Sequence, residues 1–232
     1  MRRVGILGGT FDPIHCGHID MGRAAWNALG LTTLFVIPAH IPPHRAAPYA
    51  SSHHRFAMVT LAIAMESQWQ VSDVELRTEA PSYTSDTLAR FHERGYAASE
   101  VFFIVGTDAF TDIASWKDYP LILSRASFAI VSRPGYSVKQ LPERLPFLKA
   151  QMVWTPTDIA SQAGARVFLI DAPTADVSST AIRQHRAAGR SITGMVAPSV
   201  QQHIERHGLY TSVPPGRRAN DSLSGPGGRQ VA

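Results

Sequence analysis

Apolar residues along this chain fall into short runs of strand length, separated by stretches in which they recur at helical spacing. Val4 to Leu7 is apolar and breaks at paired glycines, which predicts a strand. Ile19 to Leu29 has apolar residues at helical spacing and ends at Gly30, a helix with a glycine C-cap. Thr33 to Ile37 is β-branched and apolar, a buried strand. Pro38 to Pro48 carries four prolines and must be a loop. Ser51 or Ser52 can cap a helix running to about Ser67, and a short strand follows from Trp69 to Val74. Ser82 to Arg94 predicts a helix capped by Ser82 or Thr84 and closed by Gly95. Val101 to Val105, apolar throughout, reads as a central strand that breaks at Gly106-Thr107-Asp108 into a helical stretch toward Trp116. Ser127 to Val131 and Arg166 to Ile170 are further strands, and Ser178 to Ala188 and Pro198 to His207 are further helices. Between Tyr136 and Gly164 the pattern predicts no element.

Strands alternating with helices over this length imply an α/β fold: a Rossmann-like, doubly wound parallel sheet with helices on both faces. Ligands of such sheets collect beyond the carboxyl ends of the strands. The expected organisation is one domain over residues 1–210 and a disordered Pro/Gly/Ser/Arg-rich tail over 211–232.

Composition narrows the possibilities. The chain has 232 residues, 44% hydrophobic, enough for one sizeable core, and no apolar run approaches the roughly 18–20 residues that cross a bilayer. No secretory leader is expected, since Arg2-Arg3 precedes a strand-length run rather than a long apolar one. A single cysteine excludes an internal disulfide, and the expectation is a cytoplasmic protein without a membrane partner. The net charge is +4, but Arg217, Arg218 and Arg229 against Asp221 place 3 − 1 = +2 of it in the tail. Without a basic stripe carrying interleaved aromatics, long nucleic acid is not an expected partner; small anions remain.

Candidate chemistry centres on Gly8 to His18, GGTFDPIHCGH. A strand, a glycine turn and a helix start form an anion site, because first-turn N–H groups are unpaired and the helix dipole favours negative charge. His15 and His18, spaced i, i+3, lie on one helix face and can reach the same group. The glycines do not fit the dinucleotide fingerprint, and the lysine of a P-loop is missing. Zinc held by His15, Cys16 and His18 is an alternative, although three ligands this close with no distant fourth depart from zinc spacing, so no metal site is assigned. Ser178-Ser179-Thr180-Ala181-Ile182-Arg183 offers a second anion cradle of hydroxyls, first-turn amides and a guanidinium, or else an ordinary serine-capped helix.

Together, Gly8-Gly9-Thr10-Phe11-Asp12-Pro13-Ile14-His15 with Gly17-His18, and the later SSTxIR, resemble the signatures of the HxGH nucleotidyltransferases, in the form found in bacterial nicotinate mononucleotide adenylyltransferases. Pro42-Pro43-His44, Ser82-Tyr83-Thr84 with Asp86-Thr87-Leu88, Gly106 with Asp108, and Trp116-Lys117 extend the resemblance to Tyr210. It implies ATP and nicotinate mononucleotide as substrates, with Mg²⁺ carried by ATP. Gly8, Gly9, Thr10, Phe11, Arg45, Gly106, Asp108, Ser178, Ser179 and Thr180 would bind ATP. His15, His18 and Arg183 would be catalytic, and Thr84, Trp116 and Arg133 would hold the pyridine nucleotide. Arg45 stands where the family usually has lysine. Phosphopantetheine adenylyltransferases and cytidylyltransferases share the HxGH signature, but the Ser82-Tyr83-Thr84 segment and Trp116 match the pyridine-nucleotide branch. The histidines are expected to donate to the α- and β-phosphates, with a charged imidazolium accessible at a histidine pKa of about 6.5.

Overall fold

The computed structural model describes residues 2–43, 46–154 and 166–211. Seven parallel strands form one sheet: β1 (Val4–Gly9), β2 (Thr33–Pro38), β3 (Trp69–Val71), β4 (Val101–Gly106), β5 (Ser127–Val131), β6 (Met152–Val153) and β7 (Val167–Ile170). Their order is β3-β2-β1-β4-β5-β7-β6, so the winding reverses between β1 and β4. A crevice opens at such a reversal, beyond the carboxyl ends of the two strands.

Apolar runs suit this sheet because both of its faces are covered. In β4, Phe102 and Ile104 enter one core, and Val101, Phe103 and Val105 enter the other. The first core also takes side chains from α1 (Cys16–Leu29), α2 (Ser52–Ala62), α7 (Ser179–Ala187) and α8 (Pro198–Arg206). The second takes them from α3 (Thr84–Glu93), α4 (Thr107–Phe110), α5 (Ile122–Arg125) and α6 (Leu141–Arg144). The doubly wound α/β expectation is met. No described helix is long and apolar enough to cross a membrane.

Several boundaries differ from expectation, each for a local reason. α1 starts at Cys16 rather than Ile19, so His15 is its N-cap residue and His18 lies in its first turn. Gly30 closes it in the left-handed conformation (φ 57°), as expected. α2 stops at Ala62 with Ile63 as C-cap, short of Ser67. β3 ends at Val71, and Ser72 N–H still bonds to Val36. Neither Ser82 nor Thr84 caps α3. The N-cap residue is Tyr83, Ser82 Oγ accepts from His40 N–H instead (2.8 Å), and Thr84 is the first helical residue. The stretch toward Trp116 splits into α4 and a 3₁₀ turn (Ile113–Ser115). The region without a predicted element holds α6, 3₁₀ turns at Val138–Gln140 and Pro146–Gln151, and the edge strand β6, all too short to show a period. Of the expected tail, all but Thr211 lies outside the described residues.

Candidate active site

The turn from Gly9 to Cys16 is shaped by its own sequence. Phe11 takes φ 51°, and the turn places His15 at the N-cap of α1. The rings of His15 and His18 stack, with centroids 3.7 Å apart and planes 29° apart, and Phe11 meets His18 edge-on at 5.0 Å. His18 Nδ1 accepts from His15 N–H (3.3 Å), so a neutral His18 carries its proton on Nε2, as a donor. His15 is buried, and its Nδ1 has no hydrogen-bond partner among the described residues. Burial, and secondarily the positive charge of Arg133, push the His15 imidazole down to about 3. In the free protein, burial therefore opposes the imidazolium at His15.

The helix start at Ser178 forms as the sequence predicts. Ser178 caps α7, its hydroxyl accepting from Ala181 N–H (3.1 Å), and Ser179 Oγ donates to Pro13 O (2.8 Å). Arg183 donates to Asp12 O (2.7 Å) and Thr180 Oγ1 (3.2 Å), and its guanidinium lies 4.6 Å from the Tyr49 ring centroid. The two motifs, some 165 residues apart, thus share direct hydrogen bonds.

One cleft of about 690 Å³ at the β1–β4 reversal contains nearly the whole expected set. Gly8, Gly9, Thr10, Phe11, His15, His18, Gly106, Asp108, Ser178, Ser179, Thr180 and Arg183 line it, together with Thr84, Trp116 and Arg133. Arg45 lies outside the described residues. Asp108 pairs with Arg133 at 3.5 Å, and its Oδ1 is buried without a partner among the described residues. A Cβ on Gly106 would sit 2.5 Å from Asp108 Oδ1 and 2.7 Å from Arg133 Cδ, so only glycine lets the pair close over the end of β4. At the other end, Trp116 packs edge-on to Phe103 (6.2 Å) while remaining partly exposed. Lys117–Asp86 (2.7 Å) and Ser85–Asp118 (2.5 Å) tie its loop to the start of α3, so Trp116 and Thr84 stay on one shelf.

Three buried polar residues of this site were not singled out from sequence. Arg55 is 1% exposed and donates to the main-chain oxygens of Thr10, Ala39, His40 and Ala50, gathering the ends of β1 and β2. Asp12 accepts from the N–H groups of Tyr49 and Ala50 and from the Tyr210 hydroxyl. Glu75 lines the cleft, takes a hydrogen bond from Thr87 Oγ1 (2.5 Å), and has its pKa raised by burial. A charged residue within an apolar helical stripe was the available signal for Arg55. Asp12 and Glu75 had none beyond their neighbours.

The comparisons agree with this geometry. The cytidylyltransferase-like family model matches residues 6–185. A Pectobacterium atrosepticum protein named "Probable nicotinate-nucleotide adenylyltransferase" is 38% identical over 88% of this chain and 96% of its own length. A Yersinia pestis protein of the same name is 34% identical over 88% and 94%. The fold is also that of Plasmodium falciparum nicotinic acid mononucleotide adenylyltransferase, solved with NaAD (TM-score 0.69, 21% identity, 91% of this chain and 98% of that one) and with APC (TM-score 0.68, 20% identity, the same coverage). Family model, relatives and cleft agree, and the chain belongs to the cytidylyltransferase-like family, among the nicotinate-nucleotide adenylyltransferases.

Proposed function

We infer that this chain is an adenylyltransferase joining the AMP moiety of ATP to nicotinate mononucleotide, giving nicotinate adenine dinucleotide and pyrophosphate, a step of NAD biosynthesis. The observation that carries the inference is one cleft lined both by two helix starts, α1 with His15 and His18 and α7 with Arg183, and by Thr84 and Trp116. Residues 1–210 are taken as the catalytic domain, and the setting as cytoplasmic.

A mononucleotide phosphate oxygen is already anionic at neutral pH, so no base is required. That oxygen bonds to the α-phosphorus of ATP as the bond to the bridging oxygen breaks, and pyrophosphate leaves with the electron pair. Catalysis is then alignment plus stabilisation of charge moving onto the leaving group. We assign His15, as a neutral imidazole, and His18 as donors to the phosphates, with the α7 amides, Ser178, Ser179, Thr180 and Arg183 around pyrophosphate. Asp108 would meet the ribose, and Arg45 and the Gly8–Phe11 turn would complete the ATP site. Thr84 and Trp116 would hold the pyridine ring. Arg133, paired with Asp108 at 3.5 Å, is assigned to the mononucleotide phosphate. The donors around the histidines are N–H, O–H and guanidinium groups, which suit phosphate oxygens and not a bare divalent cation. Mg²⁺ is therefore assigned to the phosphates of ATP, with no protein ligand and no step of its own.

Pyrophosphate release should be measured with ATP and, in turn, nicotinate mononucleotide, its amide and phosphopantetheine, and again with CTP replacing ATP. Turnover with ATP and a pyridine mononucleotide is expected. Turnover only with CTP or only with phosphopantetheine would overturn the assignment.

A further inference from the structure

The cleft is tied to the far end of the chain by a contact with no part in the chemistry above. Tyr210 follows α8, has φ 63° and is 6% exposed, and its hydroxyl donates to Asp12 Oδ1 at 2.7 Å. Burial, reinforced by the neighbouring Asp12, raises its pKa, so the phenol stays a protonated donor. The same carboxylate accepts from Tyr49 N–H (2.7 Å) and Ala50 N–H (3.1 Å). Asp12 and Tyr49 also contact Arg183, through the Asp12 main-chain oxygen (2.7 Å) and the Tyr49 ring (4.6 Å), beside its bond to Thr180 Oγ1 (3.2 Å). Tyr210, Asp12, Tyr49 and Arg183 therefore form a continuous physical path from the C-terminal segment to a proposed catalytic cation.

The Tyr210 ring belongs to the core packed on α1, α2 and α8, and filling that core is a sufficient reason for an aromatic there. It is no reason for the hydroxyl, since phenylalanine would bury the same ring without a polar group to satisfy. α8, which presents Tyr210, is itself fastened to α2, by Ser199 Oγ donating to Leu61 O (3.1 Å) and by the His54–His203 contact (3.1 Å).

We propose that Tyr210 is a positioning residue for the transferase reaction: as a C-terminal latch on Asp12, it holds Tyr49 and the Asp12 carbonyl where they set Arg183 for the pyrophosphate leaving group. The latch rests on the adenylyl-transfer assignment above. Without the hydroxyl, Asp12 keeps its two loop donors but loses its link to α8. The Arg183 guanidinium then gains freedom in the ground state, which is lost again on reaching the transition state.

Tyr210→Phe tests this, with Tyr49→Leu as a second variant at a residue exposed enough to tolerate change (44%). Each should lower kcat/KM for ATP by about tenfold, with KM for the mononucleotide within twofold of wild type. In an Arg183→Ala background neither should cost anything further, because the residue they act through is gone. Full multiplication of the losses in the double variants, or Tyr210→Phe activity within twofold of wild type at an unchanged melting temperature, would overturn the latch. If Tyr210→Phe fails to fold, Tyr49→Leu tests the link through which the latch acts: losses that multiply with Arg183→Ala overturn it, and losses that do not multiply support it. ATP affinity, read by calorimetry in the same variants, should fall with the latch whichever acceptor the enzyme uses. Wild-type protein that binds ATP but makes no dinucleotide would overturn the assigned reaction, while the calorimetric cycle would still decide the latch.

Discussion

At the scale of single residues, the site depends on neutral hydrogen-bond donors held in an apolar turn. His15 is buried against Ile14 and stacked on His18, and protonating it inside the fold is unfavourable down to about pH 3. An unfolded histidine binds its proton near pH 6.5, so between about 6.5 and 3 the unfolded state holds more protons and stability falls as pH falls. Urea unfolding at a series of pH values should show this loss, and His15→Asn should show a shallower one; identical slopes would contradict the neutral assignment. His18 should matter for chemistry more than for folding. His18→Ala is expected to lower kcat on the order of 100-fold, the scale for one donor in a preorganised site, with little change in the unfolding midpoint. Both histidines were visible in the sequence through their spacing. The lowered pKa of His15 was not, because it comes from burial in the folded chain and from the charge of Arg133, remote in sequence.

At the scale of elements, helix starts and strand ends carry the site. α7 was readable because Ser178 is a standard cap, its side chain replacing one missing partner in the first turn. α1 was misjudged by three residues at its start, since Cys16-Gly17-His18 lacks the apolar period that marks the rest of the helix. The end of β4 makes a sharp demand on sequence. Gly106→Ala would drive a methyl into Asp108 Oδ1 and Arg133 Cδ, so the pair would have to shift. Its KM for ATP should rise at least several-fold with the fold intact by circular dichroism, and a normal KM would remove the Asp108–Arg133 pair from ATP binding. The Thr84–Trp116 shelf is assigned to the other substrate. Trp116→Ala should raise KM for the mononucleotide well above its effect on KM for ATP, whereas equal rises would make Trp116 a core residue only.

At the scale of the whole molecule, Arg55 carries more than any local pattern suggests. Arg55→Met would strand main-chain oxygens of Thr10, Ala39, His40 and Ala50 in a buried setting, at about 1–3 kcal/mol for each that finds no new donor. A fall of several kcal/mol in denaturant unfolding is expected, and a loss below 1 kcal/mol would show that water replaces the guanidinium freely. What the sequence by itself determined is the alternation of apolar strands with helices, hence a parallel sheet covered on both faces, and the two candidate loops with their glycines, histidines and cap. Those features are local: periodicity, caps and turn residues act over a few positions. Tertiary structure decided what depends on distant groups meeting. It placed the Gly8–His18 turn against the start of α7, set Thr84 and Trp116 on one shelf, kept His15 neutral, and seated Tyr210 on Asp12, 198 residues away. Hydrogen bonds and desolvation depend on which groups share a volume, and that is known only once the chain has closed on itself.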